Sequence, residues 1–106
     1  MTVQITYSKE QILQILQENS QNLKRFGVAK LGLFGSYARG EQALDSDMDF
    51  YVEFEEGQKS FDNLMDLAFY LEDQFGHKVD LLTNKSVSDW LRSVMEKDIE
   101  YVELHS

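Results

Sequence analysis

Two hydrophobic rhythms alternate along this chain. From Ser8 to Phe26 the apolar residues Ile12, Leu13, Leu16, Leu23 and Phe26 keep a broadly helical period, opened by a Ser8/Gln11 capping-box pattern and closed at Gly27. Leu31, Leu33 and the intervening Gly32 and Phe34 read as a short strand running into Gly35-Ser36, where a short helix begins. Asp47 to Phe54 then alternates acid or polar residues with apolar bulk, the period of a strand. Ser60 opens a second long helix through Phe61, Leu64, Met65, Ala68, Leu71 and Phe75, stopped by Gly76. Lys78 to Thr83 is a further strand. Ser86 or Ser88 starts a third helix carrying Trp90, Leu91, Val94 and Met95, and Ile99 to Leu104 alternates as a closing strand. The methionines and aromatics of these elements are expected in the core. The order implies an α/β fold with a mixed β-sheet, its helices packed on one face and its other face left open.

That open face is where the chemistry gathers. In the strand from Asp47, the residues Asp47, Asp49, Tyr51 and Glu53 project one way, while Met48, Phe50, Val52 and Phe54 project into the core. Two carboxylates roughly 6.5–7 Å apart along a strand can flank a pair of divalent cations. A half-exposed structural strand shows the same alternation. Upstream, a strand that breaks at Gly35-Ser36 into a helix start frees backbone N–H groups for an anion, with the Ser36 hydroxyl beside them. Glycine lets a phosphate approach the backbone, although Gly-Ser is also common turn punctuation. Asp80 is an acid inside an apolar strand, a costly place for a charge unless it is paired, metal-bound or solvated at a sheet edge. Arg39 suits either a phosphate or a structural ion pair, and Asp45 reads as a residue that caps or solvates its turn. Neither His77 nor His105 has a second ligand at metal spacing, so both read as surface residues.

Composition narrows the choices. The 106 residues are expected to form a single domain spanning 1–106, with no second substrate-gripping domain. The absence of cysteine excludes disulfides and Cys-based zinc sites. No apolar run reaches membrane-spanning length and Met1-Thr2-Val3-Gln4 lacks a signal-peptide pattern, so a cytoplasmic chain is expected. Nineteen acids against ten bases give a net charge of −9, with no basic face for long nucleic acid. An acidic surface suits a basic protein partner and also simply keeps a small domain soluble.

Gly35-Ser36, followed after ten residues by Asp47-Met48-Asp49, resembles the signature of the nucleotidyltransferase superfamily that includes DNA polymerase beta. Within it, the segment from about Val28 onward is most similar to the minimal nucleotidyltransferase antitoxins that act beside HEPN-domain toxins. The resemblance implies Asp47, Asp49 and Asp80 as ligands of two Mg²⁺ ions, with Asp80 also the candidate general base. It implies ATP as substrate, its phosphates held by Gly35, Ser36 and Arg39. The implied partner is a HEPN RNase, silenced by AMP transfer to a tyrosine in a hetero-oligomeric toxin–antitoxin pair. An antitoxin that neutralises by binding alone, and a small-molecule nucleotidyltransferase, are the alternative functions.

Overall fold

The computed structural model describes residues 6–43, 46–58 and 61–104; Asp45, Ser60 and His105 lie outside them. Its elements are α1 (Lys9–Glu18), α2 (Ser20–Arg25), β1 (Val28–Phe34), α3 (Ser36–Arg39), β2 (Met48–Phe54), α4 (Phe61–Phe75), β3 (Val79–Thr83), α5 (Asp89–Met95) and β4 (Glu100–Val102). The strands form one sheet in the order β3-β2-β1-β4. β1 pairs antiparallel with β2 and β4, whereas β2 and β3 run parallel, joined by the α4 crossover. The expected mixed α/β sheet is therefore present.

The expected capping box closes the start of α1, with the Gln11 amide donating to Ser8 Oγ at 3.1 Å and the Ser8 amide to Gln11 Oε1 at 2.9 Å. The single first helix read from the sequence is instead two. Asn19 Nδ2 donates to the Ile15 carbonyl at 2.7 Å, and Tyr70 Oη donates to Asn19 Oδ1 at 3.0 Å. A side chain that competes for a helix carbonyl while anchored elsewhere interrupts the helix.

Ile12, Leu16, Leu23, Leu31, Leu33, Phe50, Leu67, Leu71 and Phe75 fill the main core between α1, α2, α4 and one sheet face. Burying each such side chain contributes roughly 1.5–3 kcal/mol. The aromatics expected in the core that are exposed instead are Phe61 at 75%, Trp90 at 74%, Phe69 at 59% and Tyr101 at 42%. The buried line of α4 runs through Leu67, Leu71 and Phe75, which rotates Phe61 outward, and α5 buries only Met95 fully. His77, expected at the surface, is 5% exposed between the Tyr7 and Tyr37 rings, each 6.1 Å away. Gly76, at φ +67°, reverses the chain so that His77 points inward in step with Val79.

The opposite sheet face is not wholly open. Tyr51, in step with Asp49, is fully buried in a second apolar cluster with Val87 and Met95, flanked by Leu82, Leu91 and Ile99. This cluster seats α5 over the middle of the sheet. The end that carries the acids lies beyond it.

Candidate active site

β1 delivers the first component. It ends at Phe34, and Gly35 follows at φ +79° as the N-terminal cap of α3. The Ala38 and Arg39 amides both return to the Gly35 carbonyl at 3.1 Å. The Ser36 and Tyr37 amides have no acceptor among the described residues, as expected at a helix start. A Cβ on Gly35 would collide with Asp49 Oδ2 and stand 3.1 Å from its Cγ. Glycine is therefore required twice at this position: by its left-handed backbone and by the carboxylate packed against it.

β2 and β3 deliver the acids. Phe34 is the register partner of Asp49 on one side, and Asp80 is its partner on the other. Parallel partners stand about 4.8 Å apart across strands, so Asp80 lies beside Asp49 on the same face despite the whole of α4 between them. Asp47 immediately precedes β2. Asp49 is half-buried, and its carboxyl is pushed from 3.8 up to about 6, first by burial, then by the charges of Asp80 and Asp47, with Arg39 opposing. Asp80 is itself exposed on an edge strand. Its nearness to Asp49 distinguishes it from an edge acid that is merely solvated.

Arg39 is engaged in this structure as an ion-pair member. Its Nε donates to Glu41 Oε1 at 2.9 Å and its Nη1 to Asp98 Oδ2 at 3.3 Å. Neither acid was marked by the sequence reading. Deeper on the same face, Tyr51 Oη donates to Glu53 Oε2 at 2.8 Å and the Arg92 guanidinium lies 5.8 Å from the Tyr51 ring centroid. A polar cavity of about 660 Å³, lined by Gln14, Gln17, Asn22 and Arg25 among others, sits at the α1–α2 break and includes none of the predicted site residues.

Among the described residues no three acids or imidazoles are yet drawn together tightly enough to hold an ion. The donor set nevertheless fits a divalent cation. Asp47, Asp49 and Asp80 are hard oxygen ligands, and their mutual repulsion at Asp49 is what a bound cation would relieve.

A short strand–Gly–helix turn laid against an Asp-x-Asp strand, with a third acid on the adjoining parallel strand, defines a nucleotidyltransferase palm. A family model described as "Nucleotidyltransferase domain" matches residues 9–102. The chain belongs to that family, and within it to the minimal nucleotidyltransferases; it is an enzyme of the protein adenylyltransferase group. It is 43% identical to a candidate protein adenylyltransferase of Methanocaldococcus jannaschii, the match covering 87% of this chain and 95% of the relative. It is 39% identical to the protein adenylyltransferase MntA of Thermococcus cleftensis, over 88% of this chain and 94% of the relative. A solved candidate minimal nucleotidyltransferase superposes with a TM-score of 0.74 at 32% identity, over 89% of this chain and 95% of the other. The same fold occurs in a toxin–antitoxin crystallised with AMP-PNP, at a TM-score of 0.65 and 23% identity, over 94% of this chain and 76% of the other.

Proposed function

We propose that this enzyme transfers AMP from ATP to a hydroxyl group, a tyrosine in the first instance, of a HEPN-type RNase toxin, and thereby silences it. The observation that carries the reading is the side-by-side placement of Asp49 and Asp80, with Gly35 closed against Asp49. The name protein adenylyltransferase, carried by the curated relatives, supports a protein as acceptor, and a fold neighbour is part of a toxin–antitoxin complex.

In this reading the unpaired amides at Ser36 and Tyr37 and the Ser36 hydroxyl bind the β- and γ-phosphates. Asp47, Asp49 and Asp80 would hold Mg²⁺, which when bound neutralises phosphate charge and polarises the oxygens of the reacting centre. The acceptor oxygen forms a bond to the α-phosphorus, the bond to the bridging oxygen breaks, and pyrophosphate leaves. Asp80, exposed on the edge strand where a second molecule can approach, accepts the hydroxyl proton. The chain contributes mainly position and charge placement.

The test mixes the chain with its candidate toxin and MgATP, and follows the toxin by intact mass. Addition of one or more AMP groups, with silencing at substoichiometric antitoxin, is expected. The Asp47→Asn/Asp49→Asn double variant should transfer no label from α-labelled ATP. One-to-one silencing by that double variant, with no mass change, would assign the chain to neutralisation by binding alone.

A further inference from the structure

We propose that Asp98 is a positioning residue: together with Glu41 it holds the Arg39 guanidinium at the mouth of the acid cluster, in a pose that presents free N–H donors to the polyphosphate of the nucleotide. The proposal rests on the nucleotide reading above and extends it to a residue 51 positions beyond Asp47.

The geometry starts at the short helix. Arg39 closes α3, whose first residue follows the Gly35 that packs against Asp49, so the guanidinium belongs to the same small unit as the phosphate turn. A guanidinium carries five N–H donors in a rigid fork. Glu41 takes the one on Nε and Asp98 takes one on Nη1. Three donors remain, both of those on Nη2 included, and none has an acceptor among the described residues. Arginine can be gripped from one side and still offer a fork on the other, which a lysine ammonium cannot do in a fixed orientation.

Asp98 is itself held in place. It sits in the turn that follows α5, where the Asp98 and Ile99 amides both return to the Met95 carbonyl, at 3.1 and 2.9 Å. Ile99 then packs directly on β1 at Gly32, where an added Cβ would stand 2.7 Å from its Cδ1. Gly32 in the middle of a strand thus has a function: it lets Ile99 seat, and the seat fixes the turn that carries Asp98. Asp98 is the less exposed of the two acids, its side chain 29% accessible against 58% for Glu41. Glu41 makes the shorter contact, at 2.9 Å against 3.3 Å, and Asp98 is the end of the clamp held from a distant part of the chain.

A purely structural ion pair makes a different prediction from a clamp. MgATP affinity is measured by calorimetry for the parent chain, Asp98→Asn, Asp98→Glu, Arg39→Ala and the Arg39→Ala/Asp98→Asn double variant, with a thermal melt of each. Asp98→Asn should bind MgATP about three- to fivefold more weakly, the scale of one exposed charged contact, and Asp98→Glu should recover most of the loss. Arg39→Ala should lose about tenfold, and adding Asp98→Asn to it should change nothing more. Unchanged or tighter binding by Asp98→Asn would overturn the proposal, because the acid would then be idle or masking the arginine. An equal loss in the Arg39→Ala background would overturn it too, since Asp98 would act by another route. No MgATP binding by the folded parent chain would refute the nucleotide reading itself and the clamp with it.

Discussion

Replacing Asp49 by asparagine should make the protein more stable while removing its chemistry. Asp49 carries its proton up to about 6 in the fold against 3.8 for an ordinary aspartate, because it is half-buried and faces the charges of Asp80 and Asp47. The folded chain therefore binds this proton more tightly than the unfolded chain does. Stability from this group is highest below about pH 4, falls as the pH rises through the interval to about 6, and stays at the lower level above it. At 1.36 kcal/mol per pH unit the interval sets a ceiling of about 3 kcal/mol. Solvent screening of a half-exposed group reduces that to about 1 kcal/mol. Asparagine keeps the shape and has no charge to repel. Urea or thermal unfolding in EDTA should place Asp49→Asn about 4–8 °C above the parent at pH 7.5, the shift expected of 1 kcal/mol in a chain of this size. The two curves should merge below pH 4, and added Mg²⁺ should narrow the gap at pH 7.5 by stabilising only the parent. A variant no more stable than the parent at pH 7.5, or a gap that persists at pH 3.5, would refute the reasoning.

Three further outcomes follow from the same structure. Gly35→Val should cost about 1–3 kcal/mol and abolish MgATP binding by calorimetry, because the branched side chain meets both a left-handed backbone and the Asp49 carboxylate. Ser8→Ala removes the capping box of α1 and should lower the urea midpoint by the equivalent of about 0.5–2 kcal/mol, with the denaturant slope unchanged. Trp90→Ser should leave stability within about 0.5 kcal/mol of the parent in the same assay, since the ring is 74% exposed.

The parts of the fold that were legible in the sequence are those written in local patterns. The capping box at Ser8, the strand alternation from Met48 to Phe54 and the glycine stop at Gly76 each involve residues a few positions apart, and each is found where it was read. Two of the misreadings were decided by partners distant in sequence, and a third by a local signal that was obscured. Asn19 ends α1 because Tyr70 holds its amide. Tyr51 is buried on the acid-bearing face because α5 folds over it. His77 keeps the inward period of Val79, a signal present in the chain but obscured by its neighbours Gly76 and Lys78. At the candidate site, the grouping of Gly35 with Asp47 and Asp49 was legible because they lie within fifteen residues. The Arg39 contact with Asp98 spans 59 positions and was not, although Gly32 inside β1 marks the close approach that fixes it.

The strand that brings Asp80 to the site is also the outer strand of the sheet, and among the described residues no other strand pairs with its far side. Such an edge is a template on which another chain can add a strand, the first step of aggregation. β3 is short and otherwise uncharged, with Val79, Leu81, Leu82 and Thr83 as its other residues. The exposed Asp80 is the one charge within it, and so the one side chain that repels an incoming copy. A single carboxylate thus keeps the edge charged, whatever its part in the proposed chemistry. A sequence that lost Asp80 would expose an uncharged Val-x-Leu-Leu-Thr edge, and selection against self-association alone would tend to keep an acid there.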